Sequence, residues 1–152
     1  MTGNDRKPIP IANTPFLEDL GQFSPDGRWV AYQTDESGRS EVVVTPFGAA
    51  GGRSQISTAG ATQPRWSADG NELYYVAPGG MLMAAPIRAT SERIGAGAPV
   101  SLFQTQMTAG DTGWQYAVAR DGRFLVLEPA DQAEAAPNTP ITLILNWKPS
   151  TK

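Results

Sequence analysis

The chain has 152 residues, 40% of them hydrophobic and 18% charged, which is enough for one domain with a packed core. It has no Cys and no His, which excludes disulfides, thiolate chemistry, the usual zinc ligand sets and the usual general base. A net charge of −3 argues against non-specific nucleic-acid binding, and no run is long and apolar enough for membrane insertion.

The first residues, MTGNDRKPIPIANTPF, are polar and lack a signal-peptide core. Within them PIPIANTPF (8–16) reads as a candidate edge strand, since Pro8, Pro10 and Pro15 forbid a central one. A short apolar segment ending at Phe23 then enters the turn Ser24-Pro25-Asp26-Gly27. Pro25 presets φ for a type I turn and Gly27 accepts positive φ. The strand RWVAYQT follows, with Trp29, Ala31 and Gln33 on one face and Val30 and Tyr32 on the other. Both faces are largely apolar, as when a sheet is covered on both sides. A second turn, DESGRS, leads to EVVVTPF, and RSQIST from Arg53 supplies an outer strand.

The pattern then returns. RWSADG leads through Asp69-Gly70 into NELYYVA, Gly79-Gly80 turns into MLMAAPI, and VSLFQT from Val100 is the outer strand. Between these, RATSERIGAGAP reads as a loop because Gly95 and Gly97 break any helix. A third, more degenerate copy runs through VARDG, with Asp121-Gly122, into RFLVLEP. A polar loop, ADQAEAAPNTP, precedes ITLILNW. No fourth strand follows. The three Asp-Gly turns lie 43 and 52 residues apart, a period that suits a four-stranded unit. The expected units are 16–58, 59–106 and 107–148, with the 8–16 strand completing a terminal unit.

The segments FSPDGRWVAYQTDESGRSEVVVTPF, TQPRWSADGNELYYV and ITLILNW resemble WD40-like propeller repeats of the Tol-Pal (PD40) kind. The similarity is greatest to propellers that follow bacterial serine/threonine protein kinase domains. It runs from about Thr14 to Trp147. The resemblance implies an all-β fold, a partial β-propeller of three four-stranded blades in one domain spanning 1–152. Three blades are too few for a closed ring, so a symmetric homodimer would complete six. The aromatic-Ser-Pro-Asp-Gly motif would link the innermost strand to the second at Phe23–Gly27 and Trp66–Gly70. The kinase catalytic segments do not occur, so no phosphoryl transfer carries over. A receptor-kinase propeller would be extracytoplasmic; the chain itself does not reveal its compartment.

Chemistry-bearing groups are sparse. Asp26, Asp35 and Glu36 invite a calcium reading, but DESG offers too few oxygens and does not match a calcium loop. Glu18, Asp19 or Asp111 could pair as hydrolase acids, yet solvent-facing loop acids explain them as well. No G-x-S-x-G motif and no His support a serine hydrolase. GAAGGR resembles a phosphate-cradling loop only in composition, because it lies between two strands. The expectation is a non-catalytic module without cofactor or metal, binding a protein or small ligand. A self-assembling structural fragment is the alternative, and a hydrolase the weaker third reading. The candidate channel-facing binding residues are Arg65, which precedes Trp66 as Gln22 precedes Phe23, and Trp114, in the Gly-rich approach TAGDTGWQY. The remaining strand aromatics, among them Tyr74, Tyr75 and Tyr116, read as packing between units.

Overall fold

The computed structural model describes residues 8–48, 51–90, 93–108, 113–127 and 141–144. The alternation of apolar residues seen in the sequence becomes three small antiparallel sheets. Sheet 1 contains β1 (Glu18–Phe23), β2 (Trp29–Thr34), β3 (Glu41–Pro46) and β4 (Ser54–Gln55) in that order. Sheet 2 contains β5 (Thr62–Trp66), β6 (Glu72–Val76), β7 (Met81–Ala89), β8 (Ile94–Ala96) and β9 (Val100–Gln104). Sheet 3 contains β10 (Tyr116–Val118), β11 (Phe124–Leu127) and β12 (Ile141–Ile144).

The sheets stack face to face, and alternation along each strand decides which residues fill which gap. Trp29, Ala31, Val42 and Val44 of sheet 1 meet Trp66, Leu73, Tyr75 and Ala85 of sheet 2. The opposite face of sheet 2, with Tyr74, Val76, Leu82 and Ala84, meets Tyr116, Phe124 and Val126 of sheet 3. Edge-to-face rings tie this second gap, with Phe124 centred 5.0 Å from Tyr74 and 5.5 Å from Phe103. Two faces remain at the ends of the stack. Val30, Tyr32 and Val43 line the outer face of sheet 1, where Ile11, Ala12 and Phe47 pack against them. On sheet 3, Leu125 and Leu127 are exposed.

Residues 8–17 form no strand within the chain. Ile11 and Ala12 lie over sheet 1 instead.

Sheet 2 departs from the four-strand expectation. Segment 88–99 is not simply a loop: Arg88 and Ala89 pair with Gly95 and Ile94. β8 and β9 share one edge of β7, and Gly97 N–H donates to Pro86 O at 2.7 Å between them. The glycines that exclude a helix do not exclude a hairpin. Buried Ile94 and packed Ile87 hold this one to the core. Thr90 closes its loop, with Thr90 N–H on Arg93 O at 2.7 Å and Arg93 N–H on Thr90 Oγ1 at 3.0 Å.

The Asp-Gly turns set the register of each sheet. In the first, Ser24 Oγ donates to Asp26 Oδ1 at 2.6 Å and accepts from Trp29 N–H at 3.0 Å. The second repeats it: Ser67 Oγ donates to Asp69 Oδ1 at 2.6 Å and accepts from Glu72 N–H at 2.9 Å. Ala68, which stands where the first copy has Pro25, leaves that geometry intact. The third turn has Ala119 in place of Ser and is one residue tighter. Ala119 N–H bonds Arg123 O, whereas Ser24 N–H reaches Trp29 O. Without a hydroxyl to accept the returning N–H, the ladder closes one residue earlier. Gly27, Gly70 and Gly122 all have positive φ, at 71°, 74° and 81°, as the turn chemistry requires.

The loop read at 130–140, Asp111 and Trp147 lie outside the described residues.

Candidate functional site

The first strands of the sheets, β1, β5 and β10, carry most of the polar side chains that cross between sheets. Each of the first two contains the same irregularity. Leu20 (φ 51°) and Gln63 (φ 57°) are left-handed, and each lies six residues before its turn aspartate, Asp26 or Asp69. The ladder slips there, between Asp19 and Gln22 and between Thr62 and Arg65. Such backbone costs about 1–3 kcal/mol at a residue other than Gly. No residue type at either position announces it.

At Gln63 the distorted backbone is fully bonded. Its N–H donates to Gln33 Oε1 of sheet 1 at 3.0 Å, and its carbonyl accepts the Tyr116 hydroxyl of sheet 3 at 2.9 Å. Its side-chain amide pairs with Gln115. Nearer the turn, Gln22 bridges sheets 1 and 2. Its Oε1 accepts Trp66 N–H at 3.0 Å, and its carbonyl accepts Trp66 Nε1–H at 3.2 Å.

Arg65 occupies in sheet 2 the place that Gln22 holds in sheet 1, four residues before the turn aspartate. Its guanidinium lies over the Trp114 ring, with Cζ 3.6 Å from the ring centroid. The two residues named from sequence are therefore in contact, in a geometry that favours cation–π attraction. Arg65 is partly buried, and its Nε is enclosed without a hydrogen-bond acceptor. Burial lowers its pKa, opposed by the neighbouring Tyr116. The Tyr116 hydroxyl is itself pushed well above its ordinary value by complete burial. Asp19 Oδ1 and Thr62 Oγ1, at equivalent positions of β1 and β5, are also enclosed without partners.

The loop acids serve as braces. Asp26 bonds Ser24 and pairs with Arg28, Asp35 Oδ1 accepts Leu17 N–H at 2.9 Å, and Glu36 pairs with Arg53. Glu18 Oε1 accepts the Thr14 hydroxyl at 2.7 Å. Buried Glu41 accepts from Arg39 Nε, from Ser57 Oγ and from Gly60 N–H, pinning the loop after β4. Among the described residues no group of three acidic, His or Cys side chains could hold a metal ion, and no helix is long and apolar enough to cross a membrane.

Two clefts accompany the turns. One, of about 200 Å³, lies between the first two and is lined by Pro25, Asp26, Arg28, Asp69, Gly70 and Asn71 among others. The second, of about 260 Å³, lies between the second and third turns. Their acids are already hydrogen-bonded to the chain, so neither cleft presents a free ligand set. Compared with known proteins, the chain matches no protein-family model and no curated protein.

Proposed function

We propose that the chain is a non-catalytic binding module built as half of a β-propeller. Its ligand, a protein or a small molecule, meets the first strands of the sheets at Arg65 and Trp114. The observation that carries this reading is the stack of a partly buried guanidinium on an indole, with Nε left unbonded. Elsewhere on these strands Gln22 and Gln63 are committed to holding neighbouring sheets together, Gln63 with Gln33 of β2 as one partner. Three sheets, each with an Asp-Gly turn between its first two strands, agree with the propeller resemblance. Loss of binding in Arg65→Ala and Trp114→Ala, in a ligand screen against the intact chain, is the expected result. Binding that survives both replacements would contradict the site.

The same reading has two copies of the chain closing a six-bladed ring. Its support is the apolar residues left exposed toward the ends of the stack: Leu125 and Leu127 on sheet 3, and Phe23, whose ring packs on Phe47 over the outer face of sheet 1. The junctions inside the chain are built from the same kinds of residue. Two-fold symmetry would set each end face against the partner's opposite end face, giving two equivalent junctions. Residues 8–16, which form no strand in the single chain and lie over sheet 1 through Ile11 and Ala12, would have to leave that face to pair with the partner's last sheet. These exposed apolar residues also favour the second reading, a self-assembling structural fragment with no ligand of its own.

A further inference from the structure

We infer that Arg65, with its guanidinium over the Trp114 ring, receives a carboxylate of the bound ligand on its guanidinium fork. This deepens the binding-module reading and rests on it. An arginine stays charged at any ordinary pH, and stacking leaves its N–H groups directed outward in the ring plane. Four other arginines, Arg28, Arg39, Arg53 and Arg123, each have a carboxylate partner in the chain. Among the described residues Arg65 has none, nor do Arg88, Arg93 and Arg120, but those three are exposed whereas Arg65 is partly buried.

At Gln22, the equivalent position of sheet 1, the side-chain oxygen is occupied by the next sheet. At Arg65 the reach to the next sheet ends on an aromatic face, which leaves Nε–H without an acceptor. Nε–H is enclosed by the chain and out of a ligand's reach, so an incoming anion is met by the terminal Nη groups of this partly buried guanidinium. The flat indole selects among anions. A planar carboxylate lies coplanar with the guanidinium and alongside the ring. A tetrahedral phosphate projects oxygens out of that plane, toward the ring's negative face. The carboxylate can belong to a free organic acid or to an acidic peptide.

The test is ¹⁹F NMR of the full chain labelled with 5-fluorotryptophan, its four tryptophans assigned by single Trp→Phe variants. Titration with N-acetylglutamate is expected to move the Trp114 resonance to saturation while the buried Trp29 and Trp66 stay fixed. Neutral N-acetylglutaminamide, which has no carboxylate, and inorganic phosphate are expected to bind about tenfold more weakly or worse. Arg65→Gln removes the response and Arg65→Lys keeps a weaker one, with native Trp29 and Trp66 resonances showing that each variant is folded. Tighter binding of triglutamate than of N-acetylglutamate assigns an acidic peptide; equal binding assigns a free acid. Preference for phosphate or for the neutral amide, or a wild-type titration in Arg65→Gln, overturns the inference. If no carboxylate moves Trp114 although neutral acrylamide reaches it, the ligand class is wrong and the binding surface stands. If acrylamide is excluded too, the surface itself is refuted.

Discussion

Gln63 and Gln115 grip each other reciprocally across the gap between sheets 2 and 3. Gln63 Nε2–H donates to Gln115 Oε1 at 2.8 Å, and Gln115 N–H donates to Gln63 Oε1 at 2.7 Å. Gln63 is 1% exposed, so water cannot replace either bond. Gln63→Ala should therefore destabilise the chain by about 2 kcal/mol or more, because buried groups lose their partners. Urea denaturation measures it. A change within about 0.5 kcal/mol, the usual range for surface substitutions, would show that this pair does not hold the sheets together.

Two glycines with similar backbone should respond very differently to alanine. Gly27 has φ 71° and open space where a β-carbon would sit. Gly27→Ala should cost about 1 kcal/mol, from conformation alone. Gly80 has φ 84°, and its β-carbon would lie 2.5 Å from Thr105 O and 2.7 Å from Met107 O. Gly80→Ala should cost about 3 kcal/mol or more, or prevent folding. Equal thermal shifts for the two variants would contradict this.

The turn aspartates should titrate low. Asp26 is held at about 2, first by its hydrogen bond from Ser24 and then by Arg28. Ser67 lowers Asp69 in the same way, whereas in the third turn Arg123 is the main cause for Asp121. A carboxylate whose pKa is depressed on folding stabilises the fold above the ordinary carboxylate range. That contribution is lost as pH falls toward 2. Ser24→Ala should raise the Asp26 pKa, read by NMR titration of its carboxyl carbon, and should narrow the acid range of the fold. An unchanged Asp26 pKa would remove the hydroxyl from the explanation.

Ala119→Ser should not stabilise the third turn. In the tighter register Arg123, whose carbonyl accepts Ala119 N–H, already donates its own N–H to Asp121 Oδ1 at 3.3 Å, so a hydroxyl has no returning N–H to accept. The expected change is within about 0.5 kcal/mol. A gain near 1 kcal/mol, the worth of a typical hydrogen bond, would mean that this turn can adopt the register of the other two.

Much of this architecture was legible because local chemistry announces it. Ser-x-Asp-Gly demands a particular turn, and alternation placed Trp29 and Ala31 opposite Val30 and Tyr32, as the packing has them. Arg65 and Trp114 were named from their positions on the approach to the inner strands, and they are in contact. What stayed hidden depends on tertiary partners. Leu20 and Gln63 are not residues that favour left-handed backbone, so nothing local marks the irregularity. A glutamine reads the same in sequence whether it is solvated or bridges two sheets, as Gln22 and Gln63 do. The β8 hairpin was missed because Gly95 and Gly97 obscure a pairing whose anchor is the burial of Ile94.

The proposed ring needs a second copy of the chain, seated on the exposed apolar residues of sheet 3. Light scattering behind a sizing column tests this directly, on the full chain at micromolar concentration. The account predicts a mass twice the 16.2 kDa of one chain, and replacement of exposed Leu125 and Leu127 by Lys should return it to one. A stable, soluble species of 16.2 kDa from the unmodified chain would contradict the closed ring.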